Sequence, residues 1–474
     1  MWTAIAVLAW PILIESMLNA LVGLVDTTLS AGISEAATDA IGVGSYIIWF
    51  LGMVAMAIGV GSTALIARSV GAGKLAVANA TVGQSIILAA IVGVVVGVLL
   101  AVLAAPVAAL MNMSEQAGPL FVEYTRILAM AVPVIAIGMV GAACLRGAGD
   151  SIRPLVMMAA VNVVNIGASW ALSGVDIAER TVSATGEVGR RVILHNPFTF
   201  DLGIRGIALG TFAAWFTGAV IVVAVLCRGR SGVALKRRRL RLHASTMRRL
   251  LRVALPNFIE SIGMWTGNLI TLLFVGWMGV AGLFGAHIVA IRVEAISFTP
   301  GFAMGIASAT LAGQYLGSGD PAQARLAMRR CAMISSVIMG GFGTAFILFP
   351  QWIVGLFTQQ PIHLEYAPTL IFICGWIQIP FAIGMTLRNG LRGAGDTRFV
   401  AFITWTSTYA IRLPLAWILC GVDIPLGSLG VIPNPNPYQW GIVGLWVGLC
   451  AEHLVRATLF TLRYLHGGWA RIRV

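Results

Sequence analysis

The chain has 474 residues, of which 58% are hydrophobic and only 10% charged, yet its formal net charge is +13, from 31 Lys and Arg against 18 Asp and Glu. An ordinary soluble protein has about 25% charged residues. A soluble fold of this size has no interior able to hide so much apolar surface, and the same numbers exclude disorder. A basic excess also raises nucleic-acid binding as a class, so the charge has to be located along the chain.

A membrane span needs about 20 mostly apolar residues. Twelve such runs occur in order, at about 3–30, 41–67, 80–110, 120–145, 154–175, 203–227, 252–277, 281–312, 327–356, 366–391, 399–422 and 441–465. The first lacks a basic leader and is too long for a signal-peptide core, so it reads as a span. Pro11, Pro133, Pro256, Pro300, Pro380 and Pro414 lie in or near spans, which a bundle tolerates where neighbours re-satisfy the backbone. With both termini cytoplasmic, the inner loops and tail hold 23 of the 31 basic residues, Arg388 and Arg392 included, and the outer loops hold ten acids. This is the positive-inside asymmetry of a multi-pass protein, and it removes the case for a nucleic-acid partner. Bacterial inner membrane is the expected location. The segment 176–202 is long for an outer loop, and 181–195 has the pattern of a small hairpin around Gly186–Gly189. The segment 228–252 carries ten basic residues and no acid. It is either a solvated linker or a helix lying on the anionic inner leaflet. The six cysteines are far apart, without metal or disulfide spacing, and read as buried apolar fillers.

The two halves of the chain repeat one another. Pro11-x-x-x-Glu15-Ser16 recurs as Pro256-x-x-x-Glu260-Ser261. Leu-Arg-Gly-Ala-Gly-Asp at 145–150 recurs at 391–396, and Trp-Ala-Leu-Ser-Gly-Val-Asp-Ile at 170–177 recurs as Trp-Ile-Leu-Cys-Gly-Val-Asp-Ile at 417–424. Gly-Ile-x-Gly-x-x-x-Gly at 203–210 recurs at 441–448. The expected fold is therefore all-α and integral to the membrane, with twelve transmembrane helices in two six-helix lobes related by a pseudo-two-fold repeat. The lobes are 1–227 and 252–474, joined by a basic cytoplasmic linker at 228–251. Each lobe has an even number of spans, so the repeats are parallel, an architecture of secondary transporters with a cavity between lobes. No Walker motif is present.

The doubled Leu-Arg-Gly-Ala-Gly-Asp, the first-span Pro11, Glu15, Val25, Asp26 and Thr27, and Ala-His-x-x-Ala-x-Arg-x-Glu…Ser-Phe-x-Pro-Gly-Phe at 286–302 cover both halves. On these motifs the chain resembles the multidrug and toxic-compound extrusion (MATE) transporters. The resemblance implies export of organic cations, drugs or other amphipathic molecules in exchange for protons or sodium. It implies no cofactor and no enzymatic activity, and a monomer in the bilayer acting on a small-molecule substrate.

Ionisable groups inside a bilayer are functional candidates by default. Asp26 lies deep in the first span with no basic residue within a turn or two. Such a carboxylate can exchange a proton for a cationic solute or hold sodium, or else serve as a structural hydrogen bonder between helices. The resemblance assigns ion coupling to Asp26 and carries it over to Asn165 and Thr211. Ser169 stands where the proton-coupled branch has a second acid, so either ion suits the set, and sodium at Asp26 is the one metal expectation. Glu15 and Glu260, each one turn after a proline, either line the cavity or hydrogen-bond near a hinge. Glu294 shares a helix face with His287 and is either a cavity acid or a partner for Arg412 or Arg292, while Glu452 and Arg456 are spaced to pair. Arg146, Asp150, Arg392 and Asp396 read as a structural turn with an inner-gate salt bridge. Trp49, Met53, Met56, Trp265, Phe274, Trp277, Phe298 and Phe302 are candidates for an adaptable cavity wall, or are core or bilayer-facing. Two other functions compete. A flippase for a lipid-linked or polar metabolite would want many cavity arginines, and only Arg292, Arg412 and Arg456 read as intramembrane. An intramembrane aspartyl protease would use Gly-Ala-Gly-Asp, but both of those aspartates read as loop ends beside arginine.

Overall fold

The computed structural model describes the chain except residues 112, 183–187, 230, 237, 239, 426–429 and 473–474, with backbone alone at 45–51, 177–182 and 188–191. The first half consists of α1 (Trp2–Ile33), α2 (Glu35–Gly71), α3 (Leu75–Leu110), α4 (Ala117–Gly147), α5 (Ile152–Ser173) and α6 (Gly203–Arg228). A hairpin of β1 (Ile177–Val182) and β2 (Val188–Leu194) joins α5 to α6. The second half runs α7 (Ala244–Trp277), α8 (Leu283–Gly317), α9 (Pro321–Leu348), a short α10 (Pro350–Gly355) and α11 (Pro361–Gly393). It continues through α12 (Thr397–Thr406), a π-helical turn (Ser407–Arg412), α13 (Leu413–Cys420), a short hairpin of β3 (Ile424–Pro425) and β4 (Val431–Ile432), and α14 (Gly441–His466). Among the described residues eleven helices are long and apolar enough to cross a membrane. The twelfth pass is the helical run 397–420, which the π turn interrupts. The fold is thus all-α and membrane-spanning, with twelve helical passes, six in each half.

The physical plan is that of a protein dissolved in lipid. On α3 the small residues Ala89, Gly93, Gly97, Ala104 and Ala108 are buried, while Val94, Val98, Leu99 and Val102 are exposed. Lipid tails are as apolar as leucine, so large side chains gain little by turning inward, and helices associate by close backbone approach at small residues. A Cβ placed on Gly93 would lie 2.6 Å from Pro133 Cα, and one on Gly97 would lie 2.6 Å from the Ala129 carbonyl oxygen. Gly93 and Gly97 therefore set the contact of α3 with α4. Gly206 and Gly210 do the same for α6 against α5, at Leu172 and Ser169, and their repeat mates Gly444 and Gly448 bring α14 against Leu419 and Ala416.

The chain divides into two compact units, one of Ile14–Ser62 and Leu75–Leu250, the other of Met1–Leu13, Thr63–Lys74 and Leu251–Val474. The start of α1 and the end of α2 thus cluster with the second half. Ile5, Leu8 and Ala9 pack with Ala307, Leu311, Ala327 and Cys331, and Arg68 Nη1 donates to the Ala394 carbonyl at 3.3 Å.

From Ala244 the basic segment after α6 already belongs to α7. It is strapped to polar side chains of its own unit. Asn79 Oδ1 accepts from Ala234 N at 2.6 Å, and Val233 is buried. The Gln84 amide brackets Leu242, donating to the Arg241 carbonyl at 2.8 Å and accepting from His243 N at 3.0 Å. Of the six cysteines five are buried, but Cys227, near the end of α6, is exposed.

Strands β1 and β2 pair on either side of the turn expected around Gly186–Gly189, of which residues 183–187 lie outside the described ones, and the Trp…Gly-Val-Asp repeat explains how each hairpin is anchored. Trp170 Nε1 donates to the Val175 carbonyl at 3.0 Å, and Asn196 donates from its backbone to Asp176 at 2.7 Å and from its amide to the Trp170 carbonyl at 2.6 Å. In the second half Trp417, Val422, Asp423 and Asn434 repeat every one of these bonds, at 2.8, 2.7 and 2.5 Å. The Asn196 N–H, with His195 beside it, holds the Asp176 carboxyl below the usual carboxylate range.

Two predictions follow from this packing and anchoring. Gly97→Leu should destabilise the detergent-purified protein by about 1–3 kcal/mol through overpacking, seen as a lower unfolding temperature, while lipid-facing Val98→Leu should leave stability within about 0.5 kcal/mol. Because the Asp176 carboxyl is stabilised in its charged form, the anchor is fully present above the ordinary aspartate range and is lost as pH falls through the lowered value. Hydrogen-exchange protection at the Asn196 amide, corrected for intrinsic rate, should fall in that acid window and be absent in Asp176→Ala.

Candidate functional site

Asp26 lies on α1 and is 3% exposed. Its surroundings follow from the helix contacts just described. Asn165 and Ser169 are four apart on α5 and so share one face. Gly210 lets α6 press against Ser169, which carries the next residue, Thr211, to the same point. Thr211 Oγ1 donates to Asp26 Oδ2 at 2.8 Å, and Asn165 Nδ2 donates to Asp26 Oδ1 at 3.2 Å. Tyr124 of α4 adds a longer contact from its hydroxyl to Oδ2 at 3.5 Å. The four residues singled out in the sequence meet in one buried cluster, and Tyr124, which no motif marked, completes it.

The hydrogen bonding of this cluster is unbalanced. Asn165 Nδ2 has two hydrogens but three acceptors in reach: Asp26 Oδ1, Ser169 Oγ at 3.2 Å and Thr211 Oγ1 at 3.1 Å. Its Oδ1 is buried and accepts from nothing. The cluster thus presents oxygen lone pairs and a carboxylate with only neutral hydrogen-bond partners. Chemically it can take up one small cation or one proton and change its bonding in response.

Glu15 and Glu260 have a different environment. Arg146 Nη1 lies 2.6 Å from Glu15 Oε1, and Arg392 Nη2 lies 2.6 Å from Glu260 Oε2, with Arg392 Nε at 3.2 Å and the Thr404 hydroxyl donating at 2.8 Å. The proline-glutamate element of each half is therefore ion-paired to the arginine of the Leu-Arg-Gly-Ala-Gly-Asp element of the same half. The aspartate of each turn has partners of its own. Asp150 binds Arg153 at 2.5 Å and the Ser231 hydroxyl at 2.7 Å, and Asp396 binds Arg463 at 2.7 Å. Gly149 and Gly395 supply the positive φ, 95° and 91°, that these turns require.

The remaining candidates scatter. Glu294 neighbours Cys374 and feels Arg412, and His287 accepts from Trp446 Nε1 at 3.0 Å. Glu452 pairs with Arg456 as its spacing suggests. Arg388 and Arg392, read from sequence as inner-loop charges, lie within α11, with Arg392 buried. Met53, Trp265 and Phe298 are half-buried and Met56 is exposed. The side chain of Trp49 lies outside the described part of the structure.

Comparison with known proteins matches this architecture. A family model, MatE, matches residues 11–171 and 256–418, once in each half. The chain is 27% identical over 467 residues to a probable multidrug resistance protein NorM of Thermotoga maritima, covering 98% of this chain and 92% of that one. It is 23% identical over 470 residues to an uncharacterized transporter, YisQ, of Bacillus subtilis, covering 98% and 94%. Among solved structures it resembles a MOP superfamily transporter from Pyrococcus furiosus, with a TM-score of 0.84 at 19% identity over 99% of this chain and 96% of that one. It also resembles the Vibrio cholerae MATE transporter VcmN in the bent form, with a TM-score of 0.83 at 18% identity over 98% and 96%. The chain belongs to the MatE family of multidrug and toxic-compound extrusion transporters of the membrane.

Proposed function

We propose that the protein is a secondary antiporter that exports organic cations or amphipathic drugs in exchange for a proton or a sodium ion taken up at Asp26. The observation that carries this reading is a buried carboxylate whose hydrogen-bond partners are all neutral. A permanently ionised, unpaired carboxylate inside a membrane is costly. Protonation, or a sodium ion held by Asp26, the idle Asn165 oxygen and the Thr211 and Ser169 hydroxyls, removes that cost. Either event alters what Thr211 and Asn165 bond to, which gives ion binding a structural consequence in α5 and α6. Antiport requires that ion and solute favour different states. In this reading the halves 1–227 and 252–474 act as the two lobes, the bilayer is the bacterial inner membrane, and both termini are cytoplasmic, as the distribution of basic loops favours. Glu15 and Glu260, being ion-paired, hold the fold rather than carry the coupling ion.

Cells expressing the protein should resist a cationic dye such as ethidium, and Asp26→Asn should abolish that resistance at equal expression without lowering the unfolding temperature of the purified protein. In proteoliposomes an imposed pH gradient and an imposed sodium gradient, applied separately, identify the ion; uptake driven by neither, or wild-type transport in Asp26→Asn, defeats the proposal. Glu260→Gln leaves Arg392 and Arg388 without their carboxylate and should instead destabilise the fold, by about 3–5 kcal/mol, read as a lowered unfolding temperature.

A further inference from the structure

The strap between α6 and α7 occupies a particular place on α3. Val77, Gln84, Ile91 and Val98 are spaced by seven and so share one face of that helix. Val77, Ile91 and Val98 are exposed, whereas Gln84 between them is fully buried. What lies at Gln84 is the strap, whose Arg241 carbonyl and His243 N–H its amide engages at 2.8 and 3.0 Å. The strap therefore crosses the lipid-facing side of α3. It does so where the helix changes character. Asn79, Thr81, Gln84 and Ser85 precede the crossing, and residues 86–111 contain no polar side chain. Such a change marks the boundary between the headgroups and the hydrocarbon of a leaflet.

Two further bonds fix the strap, from Ala234 N to Asn79 Oδ1 at 2.6 Å and from the Ser231 hydroxyl to Asp150 at 2.7 Å. What it turns outward is cationic and apolar together. Lys236, Arg238 and Arg241 are exposed, Arg248 and Arg249 follow, also exposed, in the first turns of α7, and no acid occurs between Arg228 and Arg252. Leu240 and Leu242, on either side of Arg241, are 44% and 66% exposed. Bare leucines among arginines are unfavourable in water. At the edge of a leaflet the same arrangement is matched, since leucine enters the acyl region while guanidinium meets phosphate oxygens. The backbone is already tied to α3, so the segment has little freedom left to lose on binding.

We infer that the strap is a binding site for an anionic phospholipid, with Arg238 and Arg241 on the headgroup phosphate and Leu240 and Leu242 among the acyl chains. The site lies within the unit of Ile14–Ser62 and Leu75–Leu250 and does not depend on the role of Asp26.

Hydrogen exchange of the full-length protein in nanodiscs, read by mass spectrometry, tests where the lipid binds. Amides of residues 240–243 should exchange at least ten-fold more slowly in dioleoylphosphatidylglycerol than in dioleoylphosphatidylcholine, and 1 M sodium chloride should reduce the difference. In detergent, a phosphatidylglycerol carrying a fluorescent acyl chain should bind saturably. Unlabelled phosphatidylglycerol should displace it at least ten-fold more effectively than phosphatidylcholine or glycerol 3-phosphate, which has the charge without the chains. The double variant Arg238→Gln, Arg241→Gln should lose the preference, and Arg238→Lys, Arg241→Lys should keep most of it. Equal exchange in the two nanodiscs, equal competition by phosphatidylcholine or glycerol 3-phosphate, or an unchanged preference in the glutamine variant would each overturn the assignment. Displacement by polyglutamate at lower concentration than by phosphatidylglycerol would overturn it in favour of an acidic protein segment. The exchange and competition arms use the wild-type protein and decide the matter even if the variants fail to fold.

Discussion

The structure is governed by the cost of an unpartnered charge in hydrocarbon. A carboxylate or guanidinium within a span must find an opposite charge, find hydrogen bonds, or exchange its charge. Glu15, Glu260 and Glu452 take the first course, each against an arginine within its own unit. Asp26 does not: its partners are a threonine, an asparagine and, at longer range, a tyrosine. The contrast with these three paired acids marks Asp26 as the coupling candidate, while Glu294, beside Cys374 and near Arg412, falls between the two cases.

The repeat supplies a frame on which these differences are built. In both halves a proline-linked glutamate is clamped by the arginine of a Gly-Ala-Gly turn, and a tryptophan, an aspartate and an asparagine lock the following hairpin. Small residues then decide which helices touch. Gly210 against Ser169 lets Thr211 reach Asp26, and its mate Gly448 against Ala416 holds α14 beside α13. Duplication kept the frame, while the polar groups hung on it diverged: Asp26 with neutral partners in one half, Glu452 paired with Arg456 in the other.

Much of this was legible in the sequence because its causes are local or repeated. Apolar runs mark spans, basic loops suggest orientation, and recurrence marks the halves. Asp26, Asn165, Ser169 and Thr211 were found because motif and spacing single them out. The pairing of Glu15 with Arg146 was not, since it joins residues 131 apart and no period links them. Arg388 and Arg392 were read as loop charges because an arginine near the end of an apolar run usually marks the membrane edge. In fact α11 continues through Gly393, and Glu260 and Glu452 provide the counter-charges that let it do so. The strap after α6 was open between two readings because its anchors, Asn79 and Gln84, belong to α3, more than 150 residues earlier.

The same lock closes the base of both hairpins. The Asp and Asn that close it are 20 residues apart in the first half and 11 in the second, yet the bonds they make are the same. The lock thus tolerates closed segments of different length, and lengthening a closed loop costs only logarithmically in chain entropy. The segments that these locks close, between Asp176 and Asn196 and between Asp423 and Asn434, are therefore natural points for inserting an epitope or a fluorescent domain.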